Sequence, residues 1–315
     1  MPKTLVFVIL FILAAVGYFL FFSKNFGVAL PTPGVRELPL GPGKNKFSTS
    51  GYEIILLGDI MLGRSVMTTS LLKHNNPNYP FEKVAEKLKA TDIVFGNLEN
   101  PVIQNCPYSD SGFKFCADPK MLQGLNFAGV DIVSLANNHS ENYGTDGYGE
   151  TKGYLRNSGI DYTGDGNLVI KEAGRVKYGF LGFDLVAKSP LASDFDLIKE
   201  ADSKVDVLLV MVHWGEEYTP LPTNRQKEMA KNIIGAGADI IVGSHPHRVQ
   251  TTEYVGGKIV IYSLGNFVFD QPWSEETKKG LAVRLTFDED GHIIKIEELP
   301  VYMNALGQPE WTGEN

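Results

Sequence analysis

Four of the six histidines in this 315-residue chain stand at the ends of apolar runs. His139 closes "DIVSLANNH", His213 closes "DVLLVMVH", and His245 and His247 close "DIIVGSHPH". Two more runs end in oxygen donors: "IILLGD" at Asp59 and "DIVFGNLEN" at Asn97 and Glu99. Asn137 and Asn138 immediately precede His139, and Glu216 and Glu217 follow His213 closely. A mixture of imidazole, carboxylate and amide oxygen suits Mn, Zn or Fe, whereas Ca wants oxygen alone. Two such metals, about 3.5–4 Å apart, can activate water and polarise a carbonyl or phosphoryl oxygen. The donor set therefore predicts a pair of divalent transition metals. In an extended chain residues i and i+2 share a face, and Pro246 moves His245 out of the helical region. The H-P-H spacing thus predicts two imidazoles side by side on extended backbone; the alternative is a polar turn facing water.

Something must bring these strand ends together. From residue 52 onward, short apolar runs alternate with amphipathic stretches such as "FEKVAEKLKA", "DPKMLQGLNFAG" and "NRQKEMAKNIIGAG". Runs of this length fit strands buried on both faces, and the alternation predicts an α/β fold with a largely parallel or mixed sheet. In such sheets ligands bind beyond the carboxyl ends of the strands, where the polar residues fall. "GLAVRLTF", "DEDG" and "HIIKIEEL" predict a β-hairpin at the end of the chain. His74 is expected in a loop and His292 on an exposed strand. Neither a nucleophile elbow, a P-loop nor a dinucleotide fingerprint occurs.

Composition narrows the partners. With 43% apolar and 21% charged residues the chain can bury a core, and its net charge of −8 argues against nonspecific nucleic-acid binding. Residues 5–22 carry no charge, long enough for a transmembrane signal-anchor helix; cleavage after Ala29 is the alternative. Lys3 and Lys24 flank that run and orient the short N-terminus inward, placing the remainder extracytoplasmic in a single-pass protein. Residues 23–51 are rich in Pro and Gly and read as a linker, 52–300 as the folded domain, and 301–315 as a tail. Cys106 and Cys116 bracket a short polar loop. A disulfide there would add about 2–3 kcal/mol and persist in an oxidising compartment; the alternative is an unlinked pair in a reducing one.

Six segments in order, "GDIMLGR", "GNLENP", "ANNHSENYG", "HWGEEY", "GSHPHRVQ" and "YSLGNFVFDQ", resemble the CapA family of capsule-synthesis proteins, called PgsA in poly-γ-glutamate systems. The resemblance covers about residues 53–272. That family is similar in turn to calcineurin-like metallophosphoesterases, which implies a four-layer αββα sandwich around a bimetal site. Carried over residue by residue, it implies metal ligation by Asp59, Glu99, Asn138, His213, His245 and His247. His139 would act on substrate as a general acid. Arg64 would either bind a carboxylate or phosphate of the substrate or form a plain ion pair. Glu216, Glu217 and Asn266 are expected at the substrate. One departure stands out: the G-D-x-H element of phosphoesterases reads "GDIM" here, with Met61 at the histidine position, and a thioether is a poor ligand for a hard metal pair.

The resemblance further implies handling of an anionic envelope polymer such as poly-γ-glutamate, alongside capsule-synthase membrane subunits. Three readings stay open at this point: a hydrolase of a polymer amide, a phosphoesterase, and a non-enzymatic polymer-binding subunit. Asp59 could also be a helix N-cap, and Asn97 and Glu99 could simply shape the turn before Pro101.

Overall fold

A computed structural model describes residues 51–304 and 307–313. The expected span at 5–22 and the linker up to residue 50 lie outside the described residues. Among those described, no helix is long and apolar enough to cross a membrane.

The apolar runs form two sheets rather than one. Sheet I orders β14 (Pro309–Trp311), β13 (Ile293–Met303), β12 (Lys279–Phe287), β1 (Tyr52–Ile60), β2 (Ile93–Leu98), β3 (Ile132–Ser134) and β4 (Asp161–Thr163), and β11 (Asn266–Val268) pairs with the end of β1. Sheet II orders β5 (Val169–Ala173), β6 (Val176–Asp184), β7 (Val207–His213), β8 (Ile240–Ser244), β10 (Lys258–Ile261) and β9 (Thr252–Val255). β1 to β4 are mutually parallel, as are β6, β7, β8 and β10. Antiparallel strands complete both sheets, including the expected hairpin of β12 and β13. Sheet II comes from one continuous stretch of chain, inserted between the two halves of sheet I.

Side-chain alternation assigns the faces. On β1, Ile54 and Leu56 join Phe95, Phe180, Leu209, Met211 and Val242 in a core shared by both sheets, while Ile55 and Leu57 face the other way. On β7, Leu209 and Met211 point into the shared core and Leu208, Val210 and Val212 point outward. A period of two on strands buried on both faces is why these runs read as unbroken apolar sequence. Each fully buried Leu, Ile or Val adds about 1.5–3 kcal/mol relative to exposure.

Helices cover the outward faces. Sheet I is backed by α1 (Arg64–Thr68), α2 (Ala85–Lys89), α3 (Leu122–Ala128) and α4 (Gly144–Asn157), which contribute Val66, Leu88, Leu125 and Leu155 to its outer core. Sheet II is backed by α5 (Ala192–Asp202) and α6 (Asn224–Gly235). In α6, Gln226, Met229, Ala230 and Ile233 form the buried stripe expected of an amphipathic helix. Its start is a capping box, in which Thr223 N–H donates to Gln226 Oε1 at 2.9 Å and Gln226 N–H to Thr223 Oγ at 3.2 Å.

Two expectations shift. "FEKVAEKLKA" yields only the five-residue α2 after a single 3-10 turn at Tyr79–Phe81. The expected boundary at residue 300 falls inside β13, and β14 pairs with that strand, so residues 301–303 and 309–311 extend sheet I instead of trailing from it.

The chain crosses from sheet II to sheet I through residues 262–266, and glycines from three strands make room for it. A Cβ on Gly243 would lie 1.9 Å from the Tyr262 carbonyl oxygen, one on Gly58 2.0 Å from that of Gly265, and one on Gly280 1.9 Å from that of Asn266. Backbone hydrogen bonds fasten the crossing: Leu264 N–H to Gly243 O at 3.2 Å and Asp59 N–H to Gly265 O at 2.9 Å.

Candidate metal centre

The crossing lies beside the carboxyl ends of β1, β2, β3, β7 and β8, and these deliver the polar residues noted in the sequence. Asp59 sits on β1, not at a helix N-cap; α1 starts at Arg64 with Gly63 before it. Asp59 and Glu99 are fully buried. Asn97 joins them. Its amide donates to Asp59 Oδ1 at 2.8 Å and to Glu99 Oε2 at 3.4 Å, and its own oxygen accepts from Asn137 at 3.0 Å. Asn137 also accepts the His139 N–H at 3.1 Å, so one amide network sets β1, β2 and the turn after β3.

Three histidines come from neighbouring strands of sheet II. His213 ends β7, with Nδ1 2.8 Å from Ser244 Oγ and Nε2 3.0 Å from Asn138 Oδ1. His245 and His247 follow β8 with ring centroids 6.0 Å apart. They are side by side as expected, but not on extended backbone. Their φ angles are 95° and 54°, in the left-handed region that non-glycine residues rarely occupy. Such local strain persists where surroundings over-determine it. Here the His245 N–H donates to Asp59 Oδ2 at 3.2 Å, and His247 Nδ1 lies 2.9 Å from Asn266 Oδ1.

Asn266 was expected at the substrate, but it is fully buried. Its amide donates to Gln271 Oε1 and the Thr277 carbonyl, which makes its Oδ1 an acceptor. His247 Nδ1 must therefore carry a ring proton, which leaves Nε2 as the nitrogen able to ligate. That nitrogen faces Glu99 Oε1 at 3.6 Å. Glu99 Oε1 is buried without a hydrogen-bond partner, as is His245 Nδ1. His247 Nε2 and Glu99 Oε1 thus stand where a cation, replacing the carboxyl proton, would satisfy both atoms.

The donors fit such a cation. One group comprises Asp59, Glu99 and His247, and a second Glu217, His245 and His247, with the ligand atoms of each group within 4.8 Å of one another. Asn138 and His213 stand at the edge, already 3.0 Å apart. Glu217 was expected at the substrate and instead joins the donors from an exposed position, whereas its neighbour Glu216, also exposed, belongs to neither group.

Electrostatics follow from burial. Burial pushes the Asp59 carboxyl up, but the hydrogen bond and charge of His247 more than offset this and hold it at about 2. Burial and the Asp59 charge raise Glu99 well above the usual carboxylate range. Burial, then His245, takes His213 well below its ordinary value, and burial, then His247, brings His245 to about 4. Both rings are thus neutral and able to ligate. A bound cation would reverse the preference of Glu99 for its proton.

The remaining expected residues fall as follows. His139 is half-buried, with Nε2 4.0 Å from Glu99 Oε1. Arg64 is buried in an ion pair with Asp270; it also donates to the Gly112 carbonyl at 2.8 Å and lies over the Phe115 ring at 4.4 Å. Its guanidinium is therefore committed to the protein rather than free for substrate. Met61 points into the outer core of sheet I. Trp214 packs, donating to the Tyr262 carbonyl at 2.9 Å. Cys106 and Cys116 form the expected disulfide, with Cα atoms 5.9 Å apart. Sequence reasoning missed Ser244 and Asn142 as partners of the histidines, and Asn97 as the hub of the oxygen side. A separate cleft, lined by Tyr52, Asp92, Tyr178 and Phe287 near the start of β1, contains none of these donors.

Fold and site define a two-sheet α/β protein with a cluster of cation donors where strands of both sheets end. The chain belongs to the family described as bacterial capsule synthesis protein PGA_cap, whose pattern matches residues 53–271. It is 34% identical over 268 residues to the capsule biosynthesis protein CapA of Bacillus anthracis, covering 76% of this chain and 64% of that protein. It is 31% identical over 267 residues to the PGA biosynthesis protein CapA of Bacillus subtilis (strain 168), covering 76% and 69%. The chain thus spans about two thirds of the length of these relatives. Among solved structures, a hypothetical protein from Thermus thermophilus superposes with a TM-score of 0.52 at 16% identity, over 79% of this chain and 98% of that one. That likeness concerns the fold alone.

Proposed function

We propose that this chain is a metal-dependent hydrolase serving capsule or poly-γ-glutamate synthesis, held at the outer face of the membrane by residues 5–22. Membership of a capsule-synthesis family supports the process. The observation that carries the chemistry is the placement of His247 Nε2 3.6 Å from the buried, unpartnered Glu99 Oε1. The Cys106–Cys116 disulfide favours an oxidising compartment, in keeping with the charges flanking residues 5–22. The same metal donors and the phosphoesterase-like sandwich expected from the sequence support hydrolysis rather than binding alone.

Asp59, Glu99 and His247 would hold one divalent cation; His245 and Glu217 would serve a second, since His247 Nε2 can ligate only one of the two, with Asn138 and His213 beside them. When bound, the metals would supply Lewis acidity and lower the pKa of water. The protein's own contribution is orientation and proton handling. Asn266 and Ser244 fix the rings of His247 and His213. Phe269 packs edge-on against His247 at 4.8 Å and limits its rotation. His139 would move a proton at Nε2, the nitrogen that faces Glu99.

The test is titration of the purified full chain with Mn2+ and Zn2+, followed by assay of bis-p-nitrophenyl phosphate and of a γ-glutamyl peptide. The expected result is tight binding of a divalent metal and turnover of one of the two. Turnover of the peptide assigns amide hydrolysis, and turnover of the ester assigns phosphoester hydrolysis. Binding of neither metal, or binding without turnover of either probe, overturns the hydrolase reading.

A further inference from the structure

The loop closed by Cys106 and Cys116 does more than seal the outer core of sheet I. Phe115, next to Cys116 and buried, stacks on His139 with ring centroids 4.0 Å apart and planes 21° from parallel. Its backbone N–H donates to Asn142 Oδ1 at 2.7 Å, and the same oxygen lies 3.1 Å from His139 Nδ1. An atom that receives a backbone N–H is an acceptor, which fixes the orientation of the Asn142 amide. His139 Nδ1 must then carry the ring proton, leaving the Nε2 lone pair on the side of Glu99. Elsewhere the loop is tied to α1: Arg64 donates to Gly112 O at 2.8 Å and Thr68 Oγ to Asp110 Oδ1 at 2.6 Å.

We propose that Phe115, held by the disulfide, is a positioning residue for His139, its ring setting the imidazole plane and its amide, through Asn142, selecting the tautomer. This rests on the reading of His139 as the proton-handling group of the site. A purely structural role would place an aromatic ring in the core. It would not require the same residue's amide to share an acceptor with the imidazole. Proton transfer needs the correct nitrogen bare and correctly aimed, and supporting partners of functional histidines typically matter by about 10–100-fold.

The test is 15N NMR of the histidine side chains in the full chain, read beside kcat and KM for bis-p-nitrophenyl phosphate. The wild-type protein is expected to show His139 as the Nδ1-protonated tautomer. Phe115→Leu loses the ring but keeps the amide, so it should retain that tautomer with a lower kcat, whereas Asn142→Leu, which removes the shared acceptor, and Cys106→Ala with Cys116→Ala, which frees the Phe115 amide, are each expected to give a mixture of tautomers. A fall of about tenfold in kcat with little change in KM should accompany each substitution. A wild-type His139 protonated at Nε2, a folded Asn142→Leu or double cysteine variant with an unchanged tautomer, or a Phe115→Leu variant with unchanged kcat would overturn the proposal. Should the double cysteine variant fail to fold, Asn142→Leu decides the tautomer and Phe115→Leu the role of the ring. Should the wild-type protein turn over no substrate, the hydrolase reading fails while the tautomer measurement still decides this one.

Discussion

The two sheets furnish the candidate metal centre in different ways. Sheet I supplies oxygen: Asp59, where the register of β1 shifts, and Asn97 on strands, with Glu99 and Asn137 just beyond strand ends, joined by amide hydrogen bonds within the sheet. Sheet II supplies nitrogen: His213 at a strand end, and His245 and His247 on left-handed backbone held by partners from outside their own turn. The oxygen side is largely assembled by its own neighbours. The nitrogen side depends on Asp59 from β1 and on Asn266 from the crossing segment. Disturbing the crossing should therefore damage the nitrogen side first.

The largest effect expected is that of Gly243→Ala. The new Cβ would overlap the Tyr262 carbonyl, a backbone atom that cannot swing aside, so a loss of about 3 kcal/mol should appear as a lower urea midpoint. An unchanged midpoint would show that the two sheets are not locked at this point.

His247→Ala comes next. Because His247 belongs to both donor groups, Mn2+ affinity should fall by more than about 100-fold, the upper end for loss of a mere supporting partner. Removing His245 should affect only the second group, and equal losses from the two variants would break the distinction.

Asn266→Ala should weaken Mn2+ binding by about tenfold by freeing the His247 ring, without touching a ligand. The counterpart on the oxygen side is Asn97→Ala. If the oxygen side is the better braced, losing Asn97 should cost less affinity than losing Asn266.

The smallest effect separates neighbours. Glu217→Gln should weaken Mn2+ binding a few-fold, about 1 kcal/mol for an exposed carboxylate in a screened position, while Glu216→Gln should leave it unchanged. Equal responses would remove Glu217 from the donor set.

How much of this was readable in the sequence follows the same division. The five strand ends were legible because a polar residue after an apolar β-branched run is a local signal. The hairpin and the disulfide were legible from turn chemistry and spacing. The α/β class was legible too, although periodicity alone does not tell two sheets from one, since a strand buried on both faces looks the same in either. What stayed hidden depends on contacts distant in sequence. Arg64 is engaged by Asp270, 206 residues on, and no local feature announces this. Asn266 reads as part of a strand terminus until its contact with His247 is seen. Glu216 and Glu217 are equivalent on paper, and only the placement of Glu217 beside His245 and His247 distinguishes them. The positive φ at both His245 and His247 could not be foreseen, because proline before His247 speaks only for an extended His245.

The insertion of sheet II within sheet I bears on how the protein is made. Every donor of both groups has been synthesised by residue 247, while β1 still lacks β11 and β12 along one edge. A growing chain therefore carries a full complement of ligands on a scaffold whose central strand is half bare, the condition in which unpaired edges invite association with other chains. Only when residues 266–287 arrive and lie down beside β1 is Asn266 in place behind His247. The late C-terminal segment thus acts as the clasp that turns nascent ligands into a shaped site, and a chain truncated before it would bind cations, if at all, without selectivity.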